Sequence, residues 1–506
     1  LAVAFGVPVL ALLACSRGED RGYGGRSTVT VSTRIGAEAL NPSADTWSKF
    51  LVFLPLVTVS ETGELEGRLA RSWEHSRDFR EWTYHLRTDV RWHDGVPVTA
   101  RDVKFTLDLL SNPAALYFGP DYFESITVID DSTVTIRSID FALEWASWIV
   151  FFPEHLLKHL DPGRLYDWDF WMHPVGNGPY RFVRYLPETS MEFAANPDYF
   201  RGSPRIGRVL LKFDPEGRLS ELLSGNVDAI ATANPSERPK LAEDPRFRAY
   251  QSPDGLVRVL YWKNDHPLFQ DPRVRRALTL AVNRTELQRL LGIPETIPVV
   301  DGVLAPERLL RADVPPPLPY DPVQAGGLLA EAGWVDHVGG RVREREGTPF
   351  HFALLVPGGS GTAGIWQRAA VFVQEQYRRV GVRMDIKLLD HAVVTERLRR
   401  GNFEAVLTFS AGMNWLEETF GRGSPLGYRN GKVDELLARL RSTANPEERD
   451  SIHREFIRIF QAEAPVTFLG PVAWTSFVHR RLRGLRTPFR ANPLQFMDDL
   501  WLEDGN

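Results

Sequence analysis

With 506 residues, 43% of them hydrophobic, the chain can bury a large core as two to four domain-sized units or as interwoven lobes. Its formal net charge of -5, with 60 basic residues interspersed among 65 acidic ones, argues against a nucleic-acid partner, and no basic patch studded with aromatics occurs. One cysteine excludes both an internal disulfide and a cysteine metal cluster.

That cysteine closes the first feature of the chain. Leu1 to Ala14 is almost wholly apolar and uncharged, too short for a relaxed membrane span but suited to the apolar region of a secretory signal. Leu12, Leu13 and Ala14 lead into Cys15, which resembles the lipobox of bacterial lipoproteins. There the cysteine sulfur receives a diacylglycerol and the chain is cut just before it. The bland alternative is an accidental cysteine after an apolar N-terminus. "SRGEDRGYGGRS" then reads as a flexible tether, and no later segment has the uninterrupted apolar length of a membrane helix.

Further along, strands and helices mix without repeats. "STVTVSTRIG" alternates Val29 and Val31 with polar residues, which predicts an early strand. "REWTYHLRTDVRWHDGVPVT" predicts a β-meander, with Trp82, Tyr84 and Leu86 on one face, Val90 and Trp92 following, and a turn at Asp94-Gly95. Thr99 and Asp102 predict the capped start of a helix bearing Val103, Leu107 and Leu110. Asp271-Pro272, Asp321-Pro322 and Asn445-Pro446 each pair an N-cap residue with proline at the first helical position. Gly333 and Gly381 stand where helix C-termini belong. "LLSGNVDAIATAN" predicts a helix end, a glycine stop and a short buried strand. Pattern alone yields a large α/β or α+β protein.

No catalytic or metal constellation emerges. His155 and His159 in "PEHLLKH" have the i, i+4 spacing of a zinc pair, but the glutamate is misplaced and no third ligand is near, so a solvated helix face is the better reading. "GGSGTAG" (358–364) lacks the Lys-Ser/Thr of a phosphate-binding loop and reads as a loop before a helix around Trp366. There is no G-x-S-x-G elbow and no H-E-x-x-H. The 14 tryptophans suit a core, or an aromatic-lined cleft for a peptide or sugar.

A family resemblance rests on six segments in order. "LARSWEHSRDFREWTYHLRTDVRWHDGVPVTARDVKFTLDLL" resembles the signature segment of the extracytoplasmic solute-binding proteins of family 5, the peptide- and nickel-type receptors of ATP-binding-cassette importers. "PVGNGPYRFVRY" is similar to their G-x-G-P-Y-x-F turn, and "NPDYFRGSPRIGRVLLKF" to their N-P-D-Y strand. "LYWKNDHPLFQDPRVRRALTLAVNR", "YDPVQAGGLLAEAGW" and "VDELLARLRSTANPEERDSIHREFIRIFQAEAPV" complete the series. The likeness runs from about Thr28 to the C-terminus.

The resemblance implies an α/β, two-lobed periplasmic-binding-protein fold (type II, cluster C-like) with a small extra domain on its discontinuous lobe. The implied division is a signal peptide over 1–14 and a lipidated tether over 15–27. A discontinuous lobe of 28–50, 176–259 and 477–506 follows, with a small domain of 51–175 and a second lobe of 260–476. It further implies a monomeric, cofactor-free receptor, not an enzyme, on the periplasmic or cell-surface side. Such a receptor is held to a membrane by the lipid on Cys15 and passes a peptide or peptide-like solute to an ABC permease and its ATPase subunits. A non-peptide solute such as an oligosaccharide, a sensor role and, far behind, a hydrolase are the alternatives.

Gly176, Gly178 and Pro179 are expected to shape the return into the large lobe. The expected ligand contacts are strand-end residues: Glu38, Ala39, Tyr117, Tyr122, Leu256, Val257, Ser410, Gly412, Met413, Asn414 and Trp415, with core packing an equal alternative for each. Peptide-binding members usually carry Trp-x-x-Asp at the strand matching "NFEAVLTFSAGMNW", and its Asp holds the peptide ammonium. Here Ser410 stands at the Trp and Met413 at the Asp, with Glu417 and Glu418 nearby as possible substitutes.

Overall fold

A computed structural model describes residues 28–33, 40, 48–60, 65–77, 80–115, 123–138, 144–214, 219–230, 241, 243–302, 314–336, 342–358, 363–411, 414–421, 423–443, 445–485 and 496–503. The principal strands are β1 (Thr28–Thr33), β2 (Ala70–His75), β3 (Glu81–Leu86), β4 (Phe123–Asp130), β5 (Thr133–Ser138), β6 (Tyr180–Leu186) and β7 (Ser190–Ala195). They continue with β8 (Arg208–Phe213), β9 (Ala229–Ile230), β10 (Phe247–Trp262), β11 (His351–Gly358), β12 (Arg383–Asp390), β13 (Ala405–Ala411) and β14 (Val466–His479). The principal helices are α1 (Lys49–Val52), α2 (Ala100–Ser111), α3 (Pro272–Leu280), α4 (Pro322–Glu331), α5 (Ala363–Arg379), α6 (His391–Arg399), α7 (Asn414–Phe420), α8 (Gly431–Ser442) and α9 (Pro446–Glu463).

Ten strands form one sheet in the order β12-β11-β13-β10-β14-β9-β1-β8-β7-β6, and β2-β3-β5-β4 form a separate sheet. The two long strands β10 and β14 join the halves of the large sheet. Phe247–Pro253 of β10 pairs with His479–Ala473 of β14, and Val257–Tyr261 pairs with Pro471–Val466. Register shifts between Pro253 and Val257 and between Arg258 and Val259 break the ladder there, and Gly470 opposite has φ +130°. Such irregularities bend and twist paired strands.

The cores divide at the same place. One cluster gathers β1, both sheets' neighbours and the chain end, from Val29 to Ala229 and from Val478 to Leu500. Two others cover opposite faces of the far half. Leu260, Trp262, Leu354, Leu407 and Trp366 pack on one face, and Val257, Val259, Tyr261, Val406 and Trp415 on the other. Adjacent residues of β10 alternate between the two cores, as the period of a strand buried on both faces requires.

Local rules account for most elements. Asp271 accepts from Arg273 N (2.8 Å), Asp321 from Gln324 N (2.8 Å) and Asn445 from Glu447 N and Glu448 N (3.0 Å each), capping α3, α4 and α9 with proline next in the chain. Gly333 and Gly381 take positive φ just past α4 and α5. Thr99 N donates to Asp102 Oδ2 (2.8 Å) at the start of α2, and Glu154 N to its Oδ1 (2.9 Å). Trp82, Tyr84 and Leu86 are buried together on β3.

The expected meander is shorter than its sequence suggests. β3 pairs with β2 and β5, while residues 90–98 form only a tight turn at Gly95 (φ +93°) and one bridge, Arg91 to Pro97. Val90 and Trp92 turn into the core instead of extending the sheet. The zinc-like spacing also dissolves. The helix there spans only Glu154–Leu157, and His155 Nε2 lies 2.8 Å from Asp94 Oδ2. Among the described residues no group of three or more His, Cys, Asp or Glu could hold a metal, and no helix is long and apolar enough to cross a membrane.

His93 joins the Asp94-Gly95 turn to the glycine-rich turn at 176–179. Gly176 N donates to its Nδ1 (3.2 Å), which places the ring proton on Nε2, donated to Gly178 O (3.1 Å). Burial, opposed by the Gly178 carbonyl and reinforced by Arg181, pushes this imidazole down to about 4. Protonating Nδ1 would set two donors against each other. The unfolded chain, titrating near 6.5, therefore binds more protons than the folded one between pH 4 and 6.5, so stability rises with pH across that window. Acidification from 6.5 to 4 is expected to cost roughly 3 kcal/mol through this group, at about 1.4 kcal/mol per tenfold change. Urea midpoints measured across the window check it: His93→Gln should flatten the slope, and an unaltered slope would refute the assignment.

Candidate functional site

Register fixes which strand ends meet at the crossover. β9 runs antiparallel to β14, and β1 and β8 run parallel to β9 in turn, so their carboxyl ends point toward the crossover from one side. β13 runs antiparallel to β10, and β11 and β12 lie parallel to it, so their carboxyl ends point there from the other side. In open α/β sheets the space outside the carboxyl ends of the strands is where ligands bind. Here two such sets face each other across one bend.

Four of the expected positions or their neighbours are brought together there. Leu256 is paired with Ala411 and Val257 with Ser410. The side chains of Val257 and Trp415, however, belong to the core. Val257 is 1% exposed and Trp415 5%. The Trp415 ring packs against Tyr261, Phe420 and Phe468, and its Nε1 donates to the Tyr261 hydroxyl. Trp415, expected as a ligand contact, is thus occupied by its own protein, because its ring packs into the core beneath β10 and β13. Glu38, Ala39, Tyr117, Tyr122, Gly412, Met413 and Cys15 lie outside the described residues, as do the side chains of Ser410 and Asn414. Glu417, a possible partner for a ligand ammonium, is paired with Arg441 of α8, and the side chain of Glu418, the other, lies outside the described residues.

Two further residues stand at the crossover: Phe409, which opens the candidate segment "FSAGMNW" (409–415), and Arg258, which was not among the expected ones. Phe409 is 39% exposed at the end of β13, braced by the buried Trp366 ring at 4.7 Å. Arg258 is buried beside the register break and donates from Nη1 to Pro471 O (3.0 Å), tying β10 to β14. A charged residue within the apolar run "LVRVLYW" was its signal, since an arginine there needs a buried acceptor.

Opposed strand ends around a bent two-strand crossing, with a separate core on either side, define a two-lobed binding protein. The comparisons with known proteins place it more narrowly. The model of the bacterial extracellular solute-binding proteins, family 5, matches residues 64–422, and the chain belongs to that family. Its members are binding proteins rather than enzymes. A Brucella ovis protein, named provisionally as a peptide-binding protein of an ABC transporter, is 30% identical over 292 residues, covering 56% of this chain and 55% of the relative. The chain thus matches about half the length of that relative. Di/tripeptide-binding protein 2 of Pseudomonas aeruginosa is 25% identical over 438 residues, 78% of this chain and 79% of its own. The oligopeptide-binding protein AppA of Bacillus subtilis, solved with a nonapeptide, shares the fold with a TM-score of 0.74 at 20% identity, over 94% of this chain and 99% of its own.

Proposed function

We propose that the chain is the solute receptor of an ABC importer, capturing a peptide-like solute between its lobes outside the cytoplasm and delivering it to a membrane permease. The observation that carries this reading is the convergence of opposed strand ends on the β10–β14 crossing, in a family whose relatives are named for peptide binding. The lobes would be 28–50, 176–259 and 477–506 against 260–476, with 51–175 as the added domain. Lipidation of Cys15 would confine the receptor beside its permease, and Cys15→Ser should then end uptake of labelled palmitate.

A second reading, a blocked peptide or a neutral solute such as a sugar, is favoured by one local departure. A buried ammonium needs a charge partner, because desolvating it alone costs several kcal/mol. Met413 replaces the family's carboxylate, and Glu417 is engaged by Arg441. Free di- to pentapeptides are therefore expected to bind at least tenfold more weakly than their N-acetylated forms. Calorimetry with matched pairs decides between the readings: tight binding of the free forms, lost on acetylation, would show that another carboxylate serves.

A further inference from the structure

Arg80 makes a contact that the fold itself does not require. It sits just ahead of β3 in the small β2-β3-β5-β4 sheet, and its Nη2 donates to the carbonyl of Arg441, 3.0 Å away in the last turn of α8. These residues are 361 positions apart and belong to units whose cores are separate. Arg80 is held in place for this contact. Its own carbonyl accepts from Ser138 N (3.1 Å), and its Nη1 lies 3.8 Å from Glu124, which Arg137 Nε holds at 2.8 Å.

The acceptor side is equally specific. The last carbonyls of a helix have no partner within it and carry its negative dipole end. In α8 the Arg439 carbonyl is satisfied by Thr443 N (3.1 Å) and Ser442 Oγ (2.9 Å), and that of Leu440 by Arg449 Nη1 (3.1 Å), all from the same lobe. The Arg441 carbonyl is satisfied from across the molecule by Arg80. Arg441 in turn pairs through its own guanidinium with Glu417 of α7, the helix that follows the end of β13 at the crossover.

We propose that Arg80 is a clasp between the small domain and the far lobe, making its bond to the end of α8 when the lobes approach and surrendering that carbonyl to water when they part. The clasp favours the closed arrangement before any solute contributes. It rests on the reading of the chain as a receptor that opens and closes, and it adds the small domain as a third party to that motion.

The test uses the solute-free chain, so it stands apart from any question of ligand. Cys15→Ser removes the only native thiol, and spin labels at Ile129 in the small domain and Val371 on α5, both exposed, report the distance between the two units. Arg80→Ala is expected to raise the ratio of long to short distances about three- to tenfold, the worth of one partly exposed hydrogen bond. Arg80→Lys should fall between. Arg101→Ala, which removes an equal charge from the same domain at its exposed pair with Asp131, should change nothing. Melting temperatures confirm that each variant is folded. A distance distribution of Arg80→Ala that superimposes on the parent's, or an equal shift in Arg101→Ala, would overturn the clasp while leaving the receptor reading intact.

Discussion

Gly176→Ala is expected to destabilise the fold by at least about 3 kcal/mol. A Cβ on Gly176 would lie 1.9 Å from the Val52 carbonyl oxygen and 2.6 Å from the Val52 side chain. That oxygen cannot step aside, since it already accepts from Asn177 N (3.0 Å) and Gly178 N (2.7 Å), while Asn177 Oδ1 accepts from Leu54 N (2.8 Å). Overpacking a well-filled core costs about 1–3 kcal/mol when side chains can yield, and more when the obstacle is backbone. A loss of at least about 3 kcal/mol follows, set against a total stability of about 5–15 kcal/mol. Chemical denaturation of Gly176→Ala beside Gly431→Ala separates crowding from generic glycine loss, because Gly431 has no positive φ and a Cβ there would meet open space. Equal costs at the two sites would contradict the assignment.

Asp498→Ala should cost about 3–5 kcal/mol. The Asp498 carboxylate is 3% exposed and accepts from Arg68 (3.0 Å), Arg201 (2.8 Å) and the Tyr199 hydroxyl (3.3 Å). Arg68 is itself buried and lies over the Phe496 ring, so deleting the carboxylate strands a cation in the core. This network ties the chain end to Arg68 and to Tyr199 of the Asn-Pro-Asp-Tyr segment, which gives that motif a structural role. Removing both partners is the discriminating step. Arg68→Met with Asp498→Leu should be clearly more stable than Asp498→Ala alone, since an apolar pair leaves no unpaired charge. Urea midpoints measure both, and a cost below about 1 kcal/mol for Asp498→Ala would show the pair to be dispensable.

Much of the fold was legible because its rules act over a few residues. The alternation of Val29 and Val31, the Asp-Pro caps, and the glycines after α4 and α5 each depend on neighbours in the chain, and each stands where expected. The site was less legible because it is made of long-range pairing. Arg258 meets Pro471 across 213 positions, and nothing near Trp415 in the sequence reveals that α7 turns its ring toward Tyr261 rather than toward a solute. The apolar run around Val257 does not say whether a residue at the strand end faces core or cleft, and Val257, expected as a ligand contact, lies in the core. Phe409 and Leu407 lie on the same face of β13, yet the first is exposed and the second buried.

On the proposed reading, a receptor bent about β10 and β14 becomes more compact when solute contacts both lobes, because only the closed form makes both sets of contacts. Small-angle scattering tests this most directly. The purified chain is stripped of bound solute by unfolding and refolding, then measured before and after return of the small-molecule fraction released from the native protein. A smaller radius of gyration at saturation is the predicted result; superimposable profiles, with binding verified by mass spectrometry, would contradict closure about the crossing.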